Sequence, residues 1–231
     1  DVEKLMDGEK AKTLFTSPPY NMAREMYENY TDDLKSKEYI EFNIKTVKIW
    51  KKYLFGYIFW NVSYNKNSRW EFLEIMYRLL KETGFRFLEL IVWDKGHGMP
   101  ITSKDMLTRE YEDILLIGDE RQIQRDIDFL YVGTKYSRAN FYKTKFTGTT
   151  NYWRVIPNKI QIKNHKAIYP VEIPAKGIMM TTKMDDIVTD PFGGSGSTLI
   201  ACEQTNRTCY MMELDEHYVD VIRKRYHKFV T

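Results

Sequence analysis

Cysteine is scarce in this chain: its 231 residues include only two, Cys202 and Cys209. That excludes a disulfide scaffold and fits the reduced thiols of a cytoplasmic protein. With four histidines and no CxxC pair or Cys/His cluster, no metal centre is expected. No apolar run approaches the ~18 residues a membrane span needs, so no membrane partner is expected either. The opening DVEKLMDGEK is charged and lacks the apolar core of a secretory signal. It begins on Asp1 rather than Met, as a trimmed chain would. Internal repeats and low-complexity tracts are also missing.

What is present is a core-forming composition. Hydrophobic residues make up 43% of the chain, enough for one domain with a real core or one domain carrying an insertion. Lys12 to Thr16 reads as a short strand. Leu34, Ile40, Ile44 and Val47 recur at helical spacing, which predicts a helix over 32–52 with Thr31 as its N-cap. YLFGYIFWNV, Tyr53 to Val62, is too apolar to alternate and reads as a strand covered on both faces. A helix over 68–82 stops at Gly84. Strands follow at 85–93 and 112–118. After a break, DDIVTD forms a strand, a helix starts near Ser197, 208–214 is a strand and 216–229 a closing helix. Strands alternating with helices predict an α/β fold: a mainly parallel sheet flanked by helices. Residues 119–164 break that rhythm and read as an inserted recognition segment.

Charge is concentrated in the break. From Arg121 to Lys166 there are ten Lys and Arg against Asp126 and Asp128. That balance of +8 in a chain of net charge +3 leaves −5 for the remainder. Eight aromatics lie between Phe129 and Trp153 of the same segment. Cations interleaved with aromatics suit a polyanion with stackable bases, and Arg121, Arg125, Lys135, Arg138, Lys143, Lys145 and Arg154 are the candidate contacts. A solvated basic surface over ordinary core aromatics has the same composition. Trp153 and Tyr152 stand equally between nucleic-acid contact and core packing, whereas Trp50, Trp60 and Trp70 read as core. His97 reads as exposed in a glycine-flanked loop. Asn61 and Ser63 fall at the carboxyl end of a strand, the edge where ligands bind in such sheets.

Two short motifs carry chemistry. In DPFGGSGST a strand ends at Asp190, Gly193, Gly194 and Gly196 permit a tight turn, and a helix begins after Ser195, at Ser197 or Thr198. A nucleotide at a strand end beside a helix N-terminus uses this layout. Glu213, twenty residues beyond Gly193, is placed to hold ribose hydroxyls. The spacing is not GxGxxG. An acid ahead of the turn disfavours a pyrophosphate and suits a cofactor with a cationic end, such as S-adenosylmethionine. Phe192 either packs on an adenine or fills the core. The second motif is TSPPYN. Pro18 and Pro19 lack backbone donors and fix the direction of their carbonyls. The Ser17 oxygen and the Pro18 carbonyl can then accept the hydrogens of an amine, and Tyr20 can stack on a planar base.

SPPY, Ser17 to Tyr20, together with DPFGGSGS, Asp190 to Ser197, resembles the amino-methylating DNA methyltransferases. The order, catalytic motif first and cofactor motif near the end, resembles their β-class. HKAIYPVEIPAKGI, His165 to Ile178, resembles the class's segment ahead of the cofactor strand, and LTREYEDILLI resembles its strand region before target recognition. The resemblance covers nearly all of the chain outside 119–164. It implies a Rossmann-like S-adenosylmethionine-dependent methyltransferase fold, with 1–118 as the catalytic half, 119–164 for target recognition and 165–231 as the cofactor half. It implies double-stranded DNA as substrate, a flipped-out base and direct in-line transfer without a covalent intermediate; homodimers are common in the class, but the sequence carries no decisive interface signal. Serine at position 17 tends in this family to go with cytosine-N4 methylation and an acid with adenine-N6, so cytosine-N4 is the expectation and adenine-N6 the runner-up. An RNA or protein methyltransferase, or a binding module with a decayed site, are the competing classes.

Overall fold

The computed structural model describes residues 1–21, 32–64, 69–96, 98, 107–125, 150–157 and 169–231, with the side chains of 124 and 125 excepted. Within these, seven strands form one sheet in the order β5-β3-β4-β2-β1-β6-β7. The strands are β1 (Ala11–Thr16), β2 (Leu54–Val62), β3 (Arg86–Asp94), β4 (Tyr111–Gly118), β5 (Tyr152–Arg154), β6 (Ile187–Asp190) and β7 (Thr208–Met211). β1 pairs in parallel with β2 and β6, β6 with β7, and β3 with β5. β4 runs antiparallel to both of its neighbours, β2 and β3. The α/β sheet is thus mainly parallel, as expected, with one reversed strand.

The period of two along each central strand explains their long apolar runs. Leu14, Ile58, Trp60, Leu115 and Ile117 point into one cluster. Their neighbours Phe15, Tyr57, Phe59, Ile114 and Leu116 point into another on the opposite face. Both faces are covered, so no position is left for a polar residue to meet water. Helices α2 (Ser36–Trp50) and α3 (Arg69–Thr83) close the first face through Ile40, Ile44, Val47, Phe72, Ile75 and Leu79. On the second face lies α5 (Glu172–Thr181), where Ile173 joins Phe15, Phe59 and Trp153. Gly177 lets this helix approach closely: a Cβ there would lie 2.7 Å from the Phe15 ring. Short helices α1 (Val2–Met6) and α4 (Glu120–Arg125), then α6 (Ser197–Gln204) and α7 (Glu216–Val230), complete the order.

Several boundaries differ from the sequence expectation. α2 begins at Ser36, not near Asp32, because Asp32 accepts the backbone N–H of Asn21 at 2.9 Å and so serves the turn after β1. The expected N-cap, Thr31, lies outside the described residues. β7 ends at Met211, three residues early, where the chain bends to place Glu213. α5 carried no periodic signal strong enough to predict. Its Pro174 is tolerated because first-turn N–H groups need no helical partner. Within 119–164, α4 follows β4 directly and β5 is an edge strand of the main sheet, so the segment is anchored to the sheet on both sides. Trp153 belongs to the core at 1% exposure, while Tyr152 is exposed. Trp70, expected in the core, is 53% exposed on the outer face of α3. His97 lies outside the described residues.

Candidate active site

β1 and β6 are 170 residues apart in the chain but adjacent in the sheet, with Leu14 opposite Thr189. Their parallel pairing brings both motifs to the same carboxyl edge. The link is direct: Thr16 Oγ1, one residue before Ser17, donates to Asp190 Oδ1 at 2.6 Å. Asp190 is fully buried. Its Oδ1 also accepts the Phe192 N–H at 3.0 Å, and its Oδ2 accepts from Thr198 Oγ1 at 2.6 Å and Tyr169 Oη at 3.2 Å. One carboxylate therefore ties β1, the glycine turn, the first turn of α6 and Tyr169 together. Burial raises its pKa from the ordinary value, and the four donors oppose that rise. Burial, and then the charge of the same carboxylate, holds the Tyr169 phenol well above its ordinary value.

The glycine turn is fitted to β7. Gly193 N–H donates to the Met212 carbonyl at 2.8 Å, and a Cβ on Gly193 would meet the Met211 sulfur at 2.6 Å. Gly194 and Gly196 adopt positive φ, 50° and 82°. Ser195 accepts Arg225 through its carbonyl and, at 2.7 Å, through Oγ, while Ser197 Oγ donates to the Tyr169 carbonyl at 2.8 Å. Phe192 packs against Phe42 and Trp60, in the core cluster. Glu213 closes the turn: Oε2 accepts Gly194 N–H at 2.6 Å, and Oε1 accepts the N–H groups of Leu214 and Asp215, each at 2.9 Å. Burial raises the Glu213 pKa against those three donors. Both acceptor directions of Oε1 are therefore taken, and Oε2 has one left. An oriented, half-buried carboxylate beside a Gly-rich turn, with an acceptor direction open on Oε2, suits a ribose hydroxyl, so the residues fit a nucleoside cofactor.

The Ser17–Tyr20 turn forms the other half. Pro18 is buried, and the Pro19 carbonyl accepts Tyr39 Oη at 3.0 Å, which fastens the turn to α2. Ser17 Oγ lies 2.8 Å from Tyr20 Oη. Tyr20 Oη donates to Glu112 Oε2 at 3.0 Å, and Lys95 Nζ reaches Glu112 Oε1 at 2.9 Å. Asn61 Nδ2, at the end of β2, lies 2.9 Å from Tyr20 Oη, 3.2 Å from Glu112 Oε2 and 3.4 Å from Ser17 Oγ. Burial, then the Glu112 charge, raises the Tyr20 pKa well above its ordinary value. Glu112 and Lys95 were not singled out by the sequence. A charged pair across two strands has no motif, and its signal would have been two opposite charges at the ends of segments already read as strands.

Of the candidate nucleic-acid contacts, Arg121 is exposed on α4, and Arg154 is exposed on β5 with Nε 3.6 Å from Asp94. The Arg125 side chain and Lys135, Arg138, Lys143 and Lys145 lie outside the described residues. Among the described residues no group of three or more His, Cys, Asp or Glu could hold a metal ion, and no helix is long and apolar enough to cross a membrane.

Known proteins resemble this chain. The type II methyltransferase M.Cfr9I of Citrobacter freundii is 30% identical over 146 residues, 63% of this chain and 46% of that protein. M.BglII of Bacillus subtilis is 26% identical over 224 residues, 89% of this chain and 61% of that protein. The chain thus spans about half the length of these relatives. Among solved structures, the cytosine-N4-specific PvuII DNA methyltransferase superimposes with a TM-score of 0.69 at 18% identity, covering 100% of this chain and 88% of that one. M1.HpyAVI in its SAM complex gives 0.63 at 21% identity, covering 97% and 95%. These likenesses establish the fold. The family pattern described as DNA methylase, of the N6/N4 type, matches residues 11–224, nearly the whole chain, and the chain belongs to that family.

Proposed function

We propose that this chain transfers a methyl group from S-adenosylmethionine to the exocyclic N4 amine of a cytosine in DNA. The observation that carries the reading is the 2.6 Å bond between Thr16 and Asp190, which binds the proline turn and the glycine turn into one site. S-adenosylmethionine would supply an electrophilic methyl on a sulfonium. Glu213 and the turn at Gly193–Gly196 would hold its nucleoside end. Asp190 places a buried negative charge behind the turn, although its own hydrogen-bonding directions are filled by protein donors.

An exocyclic amine is a poor nucleophile because its lone pair is delocalised into the ring. Ser17 Oγ and the Pro18 carbonyl would accept its two hydrogens, which favours the pyramidal nitrogen that attacks. Catalysis is then chiefly positioning. A base within a duplex cannot reach such a recessed edge, so the target must leave the stack. Arg121, Arg154 and the basic residues between them would track the phosphates. Serine rather than an acid at position 17 favours cytosine, and the PvuII neighbour is cytosine-N4-specific by its name. Incubation with labelled S-adenosylmethionine and separate DNA, RNA and protein pools tests the class. Label is expected in DNA alone, and label confined to RNA or protein, or found nowhere, overturns the reading.

A further inference from the structure

Glu112 opens the second residue of β4, the one strand that runs against its neighbours, and this reversal brings its side chain to the edge that carries Ser17. Its two oxygens have different partners. Oε1 faces Lys95, and Oε2 faces Tyr20 and Asn61. A phenol has one proton and a carboxylate only accepts, so the Tyr20 proton points at Glu112. The 2.8 Å contact between Ser17 Oγ and Tyr20 Oη is then a donation by Ser17. Asn61 Nδ2 donates into the same phenol oxygen at 2.9 Å. Ser17 has only one proton, and that proton is committed inward. Toward a substrate it presents lone pairs.

Without the carboxylate nothing enforces this direction. Tyr20 could donate to Ser17, and Ser17 could donate outward, which is the wrong polarity for an amine that must lose a proton. We propose that Glu112 is the positioning residue that fixes the chain Ser17 to Tyr20 to Glu112, making Ser17 Oγ an obligate acceptor and receiving the proton the target amine gives up. This rests on the methyl-transfer reading above. In the step, the nitrogen forms its bond to the methyl carbon as the methyl–sulfur bond breaks, and that electron pair stays on sulfur. The nitrogen's proton passes to Ser17 Oγ, Ser17's to Tyr20 Oη, and Tyr20's to Glu112. Burial keeps Tyr20 a phenol, so it relays the proton without standing as a phenolate. The charged and titratable groups around Glu112 are Lys95, Tyr20 and Asp113, with Arg109 beside Asp113 and Tyr39 beside Tyr20.

Single-turnover methyl transfer to DNA by the purified chain tests the proposal, with Glu112→Gln and Tyr20→Phe as variants. Loss of a positioned proton acceptor predicts a fall of about 100-fold in the transfer rate for each. Affinities for S-adenosylmethionine and DNA should stay within about twofold, because the interaction acts only in the transition state. The Glu112→Gln rate should also climb with pH more steeply than the wild-type rate, as solvent base takes over. Tyr20→Phe keeps the ring and breaks the chain, so it carries the test if Glu112→Gln does not fold. Rates within about threefold of wild type overturn the proposal, as do losses matched by weaker binding with an unchanged pH profile. If the wild-type chain transfers no methyl to DNA, the methyl-transfer reading itself fails and the inference goes with it.

Discussion

At the residue scale, Asp190 does more structural work than its motif suggests. Four donors from three separate stretches converge on one buried carboxylate. Each donor left unpaired in the interior costs about 1–3 kcal/mol. Asp190→Ala is therefore expected to destabilise the fold by at least about 3 kcal/mol in chemical denaturation. Asp190→Asn should cost less, because its oxygen still serves Thr16 and Phe192 and the hydroxyls of Thr198 and Tyr169 can turn to accept. Equal losses for the two would contradict the network. The motif was legible in the sequence, as was the spacing to Glu213. That Glu213 is held by Gly194, Leu214 and Asp215 was not, nor was Glu112 as the partner of Tyr20. Those contacts depend on strand register and on a reversed strand 92 residues away, and hydrophobic periodicity carries neither.

At the scale of elements, the strands with continuous apolar runs and the helices with strong amphipathic spacing were legible, because burial on two faces or one leaves a period in the sequence. The helix α5 was not. Eight of its ten residues are buried, so it has no polar stripe to set a period. Its packing yields a test in which two effects oppose. Gly→Ala within a helix ordinarily gains about 0.5–1 kcal/mol. At Gly177 the added methyl would press on Phe15 at 2.7 Å and Phe59 at 3.1 Å, rings stacked on one another 5.1 Å apart in the core. Overpacking of this kind costs about 1–3 kcal/mol, so Gly177→Ala should be net destabilising in thermal or chemical unfolding. A gain in stability would show that α5 sits further from the sheet. On the outer surface, Glu82 of α3 bonds Arg78 and also Lys48 of α2. Its pKa falls to about 2 from an ordinary 4.5, chiefly through Arg78 and then Lys48. The folded value is depressed, so its contribution is present above about pH 4.5 and is lost as the pH falls toward 2. The melting-temperature difference between wild type and Glu82→Gln should accordingly be largest at neutral pH and close as the solution is acidified. A difference that persists at pH 2 would mean that Glu82 acts through packing instead.

At the scale of the whole molecule, charge is segregated along the chain. Of the ten cations of 121–166, Arg121 and Arg125 belong to α4, which follows β4, and Arg154 belongs to β5, which pairs with β3, so both described ends of the basic stretch are tied to one flank of the sheet. The remainder of the chain, carrying the site, is net acidic. DNA affinity should fall steeply with salt, and Lys143→Ala with Lys145→Ala should reduce the slope of log K against log salt by about 0.9 for each phosphate contact removed. Affinity for S-adenosylmethionine should not change. An unchanged slope would return these lysines to the role of a solvated surface, the alternative that composition alone left open. The sequence carried the charge segregation plainly, but not that Trp153, within the basic stretch, is a core residue stacking toward Phe59.

The central claim, that the turn at Ser17 accepts the hydrogens of a cytosine amine, is tested most directly by mass spectrometry of nucleosides from DNA incubated with the chain and S-adenosylmethionine. The wild-type chain should yield N4-methylcytosine, and Ser17→Ala should lower the yield by about 100-fold or more at equal cofactor binding. N6-methyladenine in place of N4-methylcytosine would overturn the base assignment. No methylated nucleoside, or an undiminished yield from Ser17→Ala, would contradict the site itself.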